Sequence, residues 1–190
     1  MTQQPYHVPR FFLRQKVTPF TNKYVAQAAN PDGSEGQVLA FAQQKRLAFK
    51  EQVTFYADES KSQAVFAFKA RAVMDLNAGY DITDPSGAAL GFFRKDFGKS
   101  LFRSTFHIEG PGYAGTGQER NQLVAILRRF SEADFLPIHF DYVSAEGQPL
   151  LSVERRWALR DKYTVTVQDP RVDFRVAAAV AVAMDALMQR

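Results

Sequence analysis

From Val176 to Met184 the chain reads Val-Ala-Ala-Ala-Val-Ala-Val-Ala-Met, a stretch without a single polar side chain. A helix of this sequence is apolar around its whole circumference, so in a soluble protein every side of it must be covered. The run is too short to span a bilayer, which takes ~20 predominantly apolar residues. Asp173 and Arg175 close it on one side and Asp185 on the other. The helix is therefore expected inside the molecule, and the remaining chain has to enclose it.

The preceding residues have the pattern of such an enclosure. Apolar residues recur with a period of two at Phe66, Phe68, Ala70, Ala72 and Met74, and again at Phe102, Phe106 and Ile108. The same period of two recurs at Ile138, Phe140 and Tyr142 and at Tyr163, Val165 and Val167, the signature of strands with one buried face. Between the runs lie turn residues: Pro31 to Gly36, Asp58 to Lys61, Leu76 to Gly79, Asp84 to Gly87 and Ala145 to Gly147. Seventeen Phe, seven Tyr and one Trp among 190 residues suit sheet packing and exclude a disordered chain. About eight strands close a barrel that its own side chains fill, whereas a helix is ~10–12 Å across, so more strands are needed. About eleven strands around a central helix is a known solution. The expected fold is mainly β: one closed antiparallel barrel of about ten to twelve strands, spanning about residues 8–168, around a helix at about 170–188, all in a single domain over 1–190.

Asp169 is a candidate N-cap for that helix, with Pro170 at its first position and Asp173 in its first turn. A second, short surface helix is predicted from Gln118 to Phe130, where Leu123, Ile126, Leu127 and Phe130 fall on one stripe and Arg120, Arg128 and Arg129 lie outside it.

Chemistry-bearing motifs are sparse. The absence of Cys removes disulfides, thiolate metal sites and cysteine nucleophiles. Gly110-Pro111-Gly112-Tyr113-Ala114-Gly115 matches G-x-G-x-x-G, but Pro111 removes a backbone donor and no second β-α-β unit follows, so a loop feeding the surface helix is expected rather than a dinucleotide site. Gly98-Lys99-Ser100 has the tail of a phosphate-binding loop, with Phe93 where the first glycine is required. His7, His107 and His139 have no nearby histidine to share a metal. His139 and Asp141 share a strand face and form a candidate base pair or a surface pair. No nucleophile elbow is present. An enzymatic role, a resident metal and a cofactor are therefore not expected.

The leading binding candidate is the basic segment Arg94, Lys95, Lys99 and Arg103, interleaved with Phe92, Phe93, Phe97 and Phe102. Lys and Arg near an anionic leaflet contribute about 1 kcal/mol each, while the same pattern also suits a solvated strand face above core phenylalanines. Lys45, Arg46 and Lys50 form a weaker second cluster. A net charge of +4 is too small for a dedicated nucleic-acid binder, so no such partner is expected.

The opening strand Arg10-Phe11-Phe12-Leu13-Arg14-Gln15-Lys16, the Tyr80-x-Ile82-x-Asp84-x-x-Gly87 hairpin and Leu90 to Phe97 together resemble the tubby C-terminal-like superfamily. The ending, Trp157 to Val165, then Asp169, then the Ala/Val helix containing Asp185, is similar to its LURP-one-related and phospholipid scramblase-like members. The resemblance implies twelve strands around a buried C-terminal helix. It also implies, through tubby proteins and scramblases, contact with anionic phospholipid or phosphoinositide-like headgroups. The stretch Val165 to Arg171 holds one carboxylate, so calcium, which takes ~6–8 oxygen ligands, is not expected there. With no signal segment in Met1 to His7, the expected location is cytoplasmic, peripheral at the membrane. The alternative is a soluble scaffold for a protein partner, with no lipid activity.

Overall fold

The computed structural model describes residues 6–17, 21–45, 52–71, 79–96, 105–120, 138–155 and 162–188. Twelve strands follow one another: β1 (Arg10–Val17), β2 (Thr21–Ala29), β3 (Glu35–Lys45), β4 (Gln52–Tyr56), β5 (Ala64–Ala70), β6 (Tyr80–Thr83), β7 (Ala89–Asp96), β8 (Thr105–Gly110), β9 (Tyr113–Glu119), β10 (Ile138–Val143), β11 (Pro149–Arg155) and β12 (Lys162–Val167). The helix α1 (Phe174–Met188) ends the described chain. Each strand pairs antiparallel with its neighbour in sequence, and β12 closes on β1 through Arg10↔Thr166 to Arg14↔Lys162. Closure removes the sheet edges that would otherwise pair with other chains.

Alternation decides what each strand buries. Phe11 and Leu13 of β1, Phe66 and Phe68 of β5, Phe93 of β7, Phe140 of β10 and Val165 of β12 all point into the lumen and are buried. They meet α1, whose residues from Val176 to Ala183 are at most 1% exposed. The Ala/Val rod is thus enclosed on every side, as its lack of a polar stripe requires. Small side chains on the rod match a glycine in the wall: a Cβ on Gly91 of β7 would stand 3.0 Å from Val176 Cγ2 and 2.7 Å from the Glu109 carbonyl oxygen.

The helix begins later than the sequence suggests. Asp173, not Asp169, is its N-cap: its carboxylate accepts the Arg175 N–H at 2.9 Å and its carbonyl accepts the Ala177 N–H at 3.1 Å. Asp169 caps the turn before it, taking the Arg171 N–H on its side chain and the Val172 N–H on its carbonyl. Asp173 also holds the N-terminal segment, accepting the Tyr6 N–H at 2.9 Å while the Phe174 N–H donates to the Tyr6 carbonyl at 2.8 Å.

The second correction concerns Gln118, which lies in β9 rather than in a helix; the remainder of that predicted helix, from Asn121 on, lies outside the described residues. Gly110 and Tyr113 pair across a two-residue turn, so the glycine motif is a β8–β9 hairpin and not a loop leading to a helix. The other turns at the end of the barrel where α1 starts fall at the Gly, Pro and Asp clusters of the sequence, closed by hydrogen bonds such as Gly33 N–H to the Asn30 carbonyl and Gly147 N–H to the Ser144 carbonyl. In one of them Asp84 accepts the Ser86 and Ala88 N–H groups and Gly87 takes φ +87°.

Candidate functional site

Successive residues of a strand point to opposite sides, and this separates the sequence-predicted basic segment. Lys95 lies opposite the buried Phe106 in the β7–β8 register and therefore faces the lumen, its Nζ 5.9 Å from that ring. Arg94 faces outward and is exposed. Lys99 and Arg103 lie outside the described residues, as do Phe97 and Phe102, Arg46 and Lys50. Phe93 is core, whereas Phe92 lies half-buried on the outer face.

The structure gives Arg94 different companions. Across β5, β6 and β7 the register aligns Lys69 with Asp81 and Asp81 with Phe92. Arg71, just beyond β5, donates from Nε and Nη2 to Asp81 Oδ1 at 3.0 and 2.7 Å, and its guanidinium carbon sits 3.9 Å from the Phe92 ring centroid. The Asp81 hydrogen bond raises the Arg71 pKa further, so this charge is permanent. Gly79 makes the stack possible: at φ +76°, a Cβ there would stand 2.5 Å from the Phe92 ring. Lys69 and Arg94 are both exposed, and among the described residues neither has a carboxylate partner. The outer face of β5–β7 thus carries Lys69, Arg71 and Arg94 around an aromatic plate. Asp81 is committed to Arg71, and Glu109 stands across from Phe92 on β8. Lys69 and Arg71 were missed from sequence; the alternation of Phe66 and Phe68 marks Lys69 as outward, but only the register brings it toward Arg94.

The histidine candidate is assembled more fully than sequence showed. His139 Nε2 lies 2.9 Å from Glu154 Oε1 on β11 and 3.4 Å from Asp141 Oδ1, although neither contact has hydrogen-bond alignment. Arg120 grips Asp141 with two hydrogen bonds of 2.7 Å. Burial pushes the Asp141 carboxyl up, but Arg120 and His139 outweigh it and hold the group below the usual carboxylate range. Asp141 is thereby kept ionised beside the imidazole, and Glu154 completes a cross-strand polar cluster on the outer wall. His107 sits on the same outer surface, 3.3 Å from Thr116 Oγ1 and 3.8 Å from Asp96. A third network links β1, β3 and β12, where Glu35 Oε1 meets Arg14 and Lys162 at 2.7 Å each while Lys162 covers Phe12. Among the described residues no three His, Asp or Glu side chains gather to hold a metal ion, and no helix is long and apolar enough to cross a membrane.

A closed antiparallel barrel of twelve strands threaded by its own C-terminal helix defines the tubby-like architecture. The chain matches the LURP-one-related family over residues 38–185, most of its length, and belongs to that family within the tubby-like superfamily. No curated protein matches the chain.

Proposed function

We propose that this barrel is a non-enzymatic binding module that recognises anionic phospholipid headgroups through the outer face of β5–β7. The observation that carries the reading is the pair of uncommitted, exposed cations, Lys69 and Arg94, on either side of the Arg71–Phe92 stack. A guanidinium fixed over an aromatic ring by Asp81 holds its remaining donors and its charge in one place for a phosphate, and the two exposed cations add long-range attraction. The location that follows is the face of a membrane, reached by surface attachment.

Co-sedimentation with phosphatidylcholine vesicles, with and without 20% anionic lipid, tests this across salt concentration. Binding should require the anionic lipid, weaken as salt shortens the screening length to ~3 Å at 1 M, and fall at least tenfold in the Lys69→Glu/Arg94→Glu double variant. Equal partitioning to neutral and anionic vesicles, or a double variant that binds like the parent, rejects the reading. Capture of a protein partner without vesicle binding would favour a soluble scaffold in its place.

A further inference from the structure

The outer face of β5–β7 continues onto β8, and the residue that continues it is titratable. The registers lay Lys69, Asp81, Phe92 and Glu109 in one row across β5 to β8. Two residues further along each strand, on the same side, the next row holds Arg71, Arg94 and His107, with His107 directly opposite Arg94. Residues so paired have Cβ atoms about 4.5–5.5 Å apart. The imidazole is thus a neighbour of one of the two exposed cations, and its side chain, 27% exposed, is open to solvent protons.

The surroundings of His107 suit a group that changes charge in place. Thr116 Oγ1 lies 3.3 Å from Nδ1. A hydroxyl donates to a bare ring nitrogen and accepts from a protonated one, so this neighbour serves both states. Nε2 lies 3.8 Å from Asp96 Oδ2, a contact that is an ion pair only when the ring is protonated. The charged and titratable groups that share its face are Arg94 and Asp96 on β7 and Glu109 on β8 itself, while β9 presents Thr116 and Gln118. Among the described residues this wall carries three cations, Lys69, Arg71 and Arg94, and three carboxylates, Asp81, Asp96 and Glu109. Histidine is the member of the set whose ordinary titration falls between pH 5 and 8. Its protonation state therefore decides whether these groups balance or leave the wall positive.

We infer that His107 makes the lipid-binding face pH-dependent: protonated, it completes a cationic row with Arg71 and Arg94, offsets Asp96, and strengthens attachment to anionic membranes as pH falls through the imidazole range. This regulation rests on the reading of the outer face given above. An anionic headgroup lying against the row favours the imidazolium, so binding takes up protons, and by reciprocity lower pH tightens binding. One added cation near an anionic leaflet corresponds to about a fivefold gain in affinity.

Co-sedimentation of the full chain with phosphatidylcholine vesicles containing about 20% phosphatidylglycerol, whose phosphodiester stays ionised throughout, tests this at roughly pH 8 and pH 5.5 and constant salt. The parent should bind about fivefold more tightly at the lower pH. His107→Asn should bring the ratio of the two affinities to within about twofold of one, and His107→Arg should do the same while binding at the higher pH as tightly as the parent does at the lower. Calorimetry of the parent near pH ~6.5, in two buffers of different protonation enthalpy, needs no variant: association with the vesicles should take up a fraction of a proton. Equal affinity at both pH values, in a parent whose binding is still lost in Lys69→Glu/Arg94→Glu, overturns the role of His107 and leaves the outer-face reading standing. A pH effect that survives His107→Asn, or binding without proton uptake, overturns it equally. No binding to anionic vesicles at either pH rejects the outer-face reading itself, and the role of His107 with it.

Discussion

Gly91 and Val176 offer the sharpest test of how the helix sits in the barrel. A Cβ at position 91 would be 2.7 Å from the Glu109 carbonyl oxygen and 3.0 Å from Val176 Cγ2. The first neighbour is sheet backbone and cannot step aside; the second is a branched side chain fixed inside the lumen. Overpacking of this kind costs about 1–3 kcal/mol, so Gly91→Ala should lower the melting temperature by roughly 2–12 °C, at ~2–4 °C per kcal/mol for a domain of this size. Val176→Ala removes two buried methyl groups and should cost about 1.5 kcal/mol from transfer alone. The pair should not add: with Ala at 176 the new methyl keeps its clash with Glu109 but gains room toward the helix, and the double variant should be more stable than the sum predicts by more than ~0.5 kcal/mol. Urea denaturation followed by far-ultraviolet circular dichroism measures all four proteins. A Gly91→Ala protein within ~0.5 kcal/mol of the parent, or strict additivity, would show that α1 does not pack against β7 as described.

Ala181, with no exposed surface, should tolerate Trp no better: Ala181→Trp should lose about 3 kcal/mol or fail to fold, whereas a helix facing solvent or lipid would accept it, and thermal melting distinguishes the two. Asp173→Ala removes the N-cap, the Tyr6 tether and the partner of the half-buried Arg175 together, so its loss should exceed the ~0.5–2 kcal/mol of a cap alone; Asp173→Asn, which keeps the cap, should lose less in the same melts. The Lys162 hydrogen bond, with Arg14 beside it, depresses the Glu35 carboxyl below its usual 4.5. Its stabilisation is present above that value and is lost as pH falls through the depressed pKa. The stability difference between the parent and Glu35→Gln should therefore be full at pH 6 and shrink steadily below pH 4.5; a difference that grows on acidification would contradict the ion network.

The fold was legible because its strongest signals were unopposed. Val176 to Met184 has no polar face, and Tyr163, Val165 and Val167 alternate with Thr164 and Thr166, so burial could be assigned residue by residue. Strand β9 was hidden by its glycines. At Gly115 and Gly117 a Cβ would strike Leu150 and the Tyr142 ring. The strand thus has gaps where large side chains from β10 and β11 lie, and it shows no alternation. The helix start was ambiguous because Asp169 and Asp173 both cap, about one helical turn apart, and local hydrogen bonding alone does not say which turn continues. In the candidate site, Arg94 and Lys95 look like one patch in sequence, yet a period of two sends them to opposite sides of the wall. That division was available from the pattern. The approach of Lys69 and Arg71 was not, since it depends on the β5–β6–β7 register and on the space that Gly79 leaves for Phe92.

Amide hydrogen exchange along α1 tests the enclosed rod most directly. With every side chain from Val176 to Ala183 buried inside a closed barrel, these amides should exchange only when the whole domain opens, at the rate of the slowest amides of β1 and β12 and without dependence on protein concentration. Exchange of that segment orders of magnitude ahead of the strands, or protection that appears only as concentration rises, would place the helix outside and contradict the account.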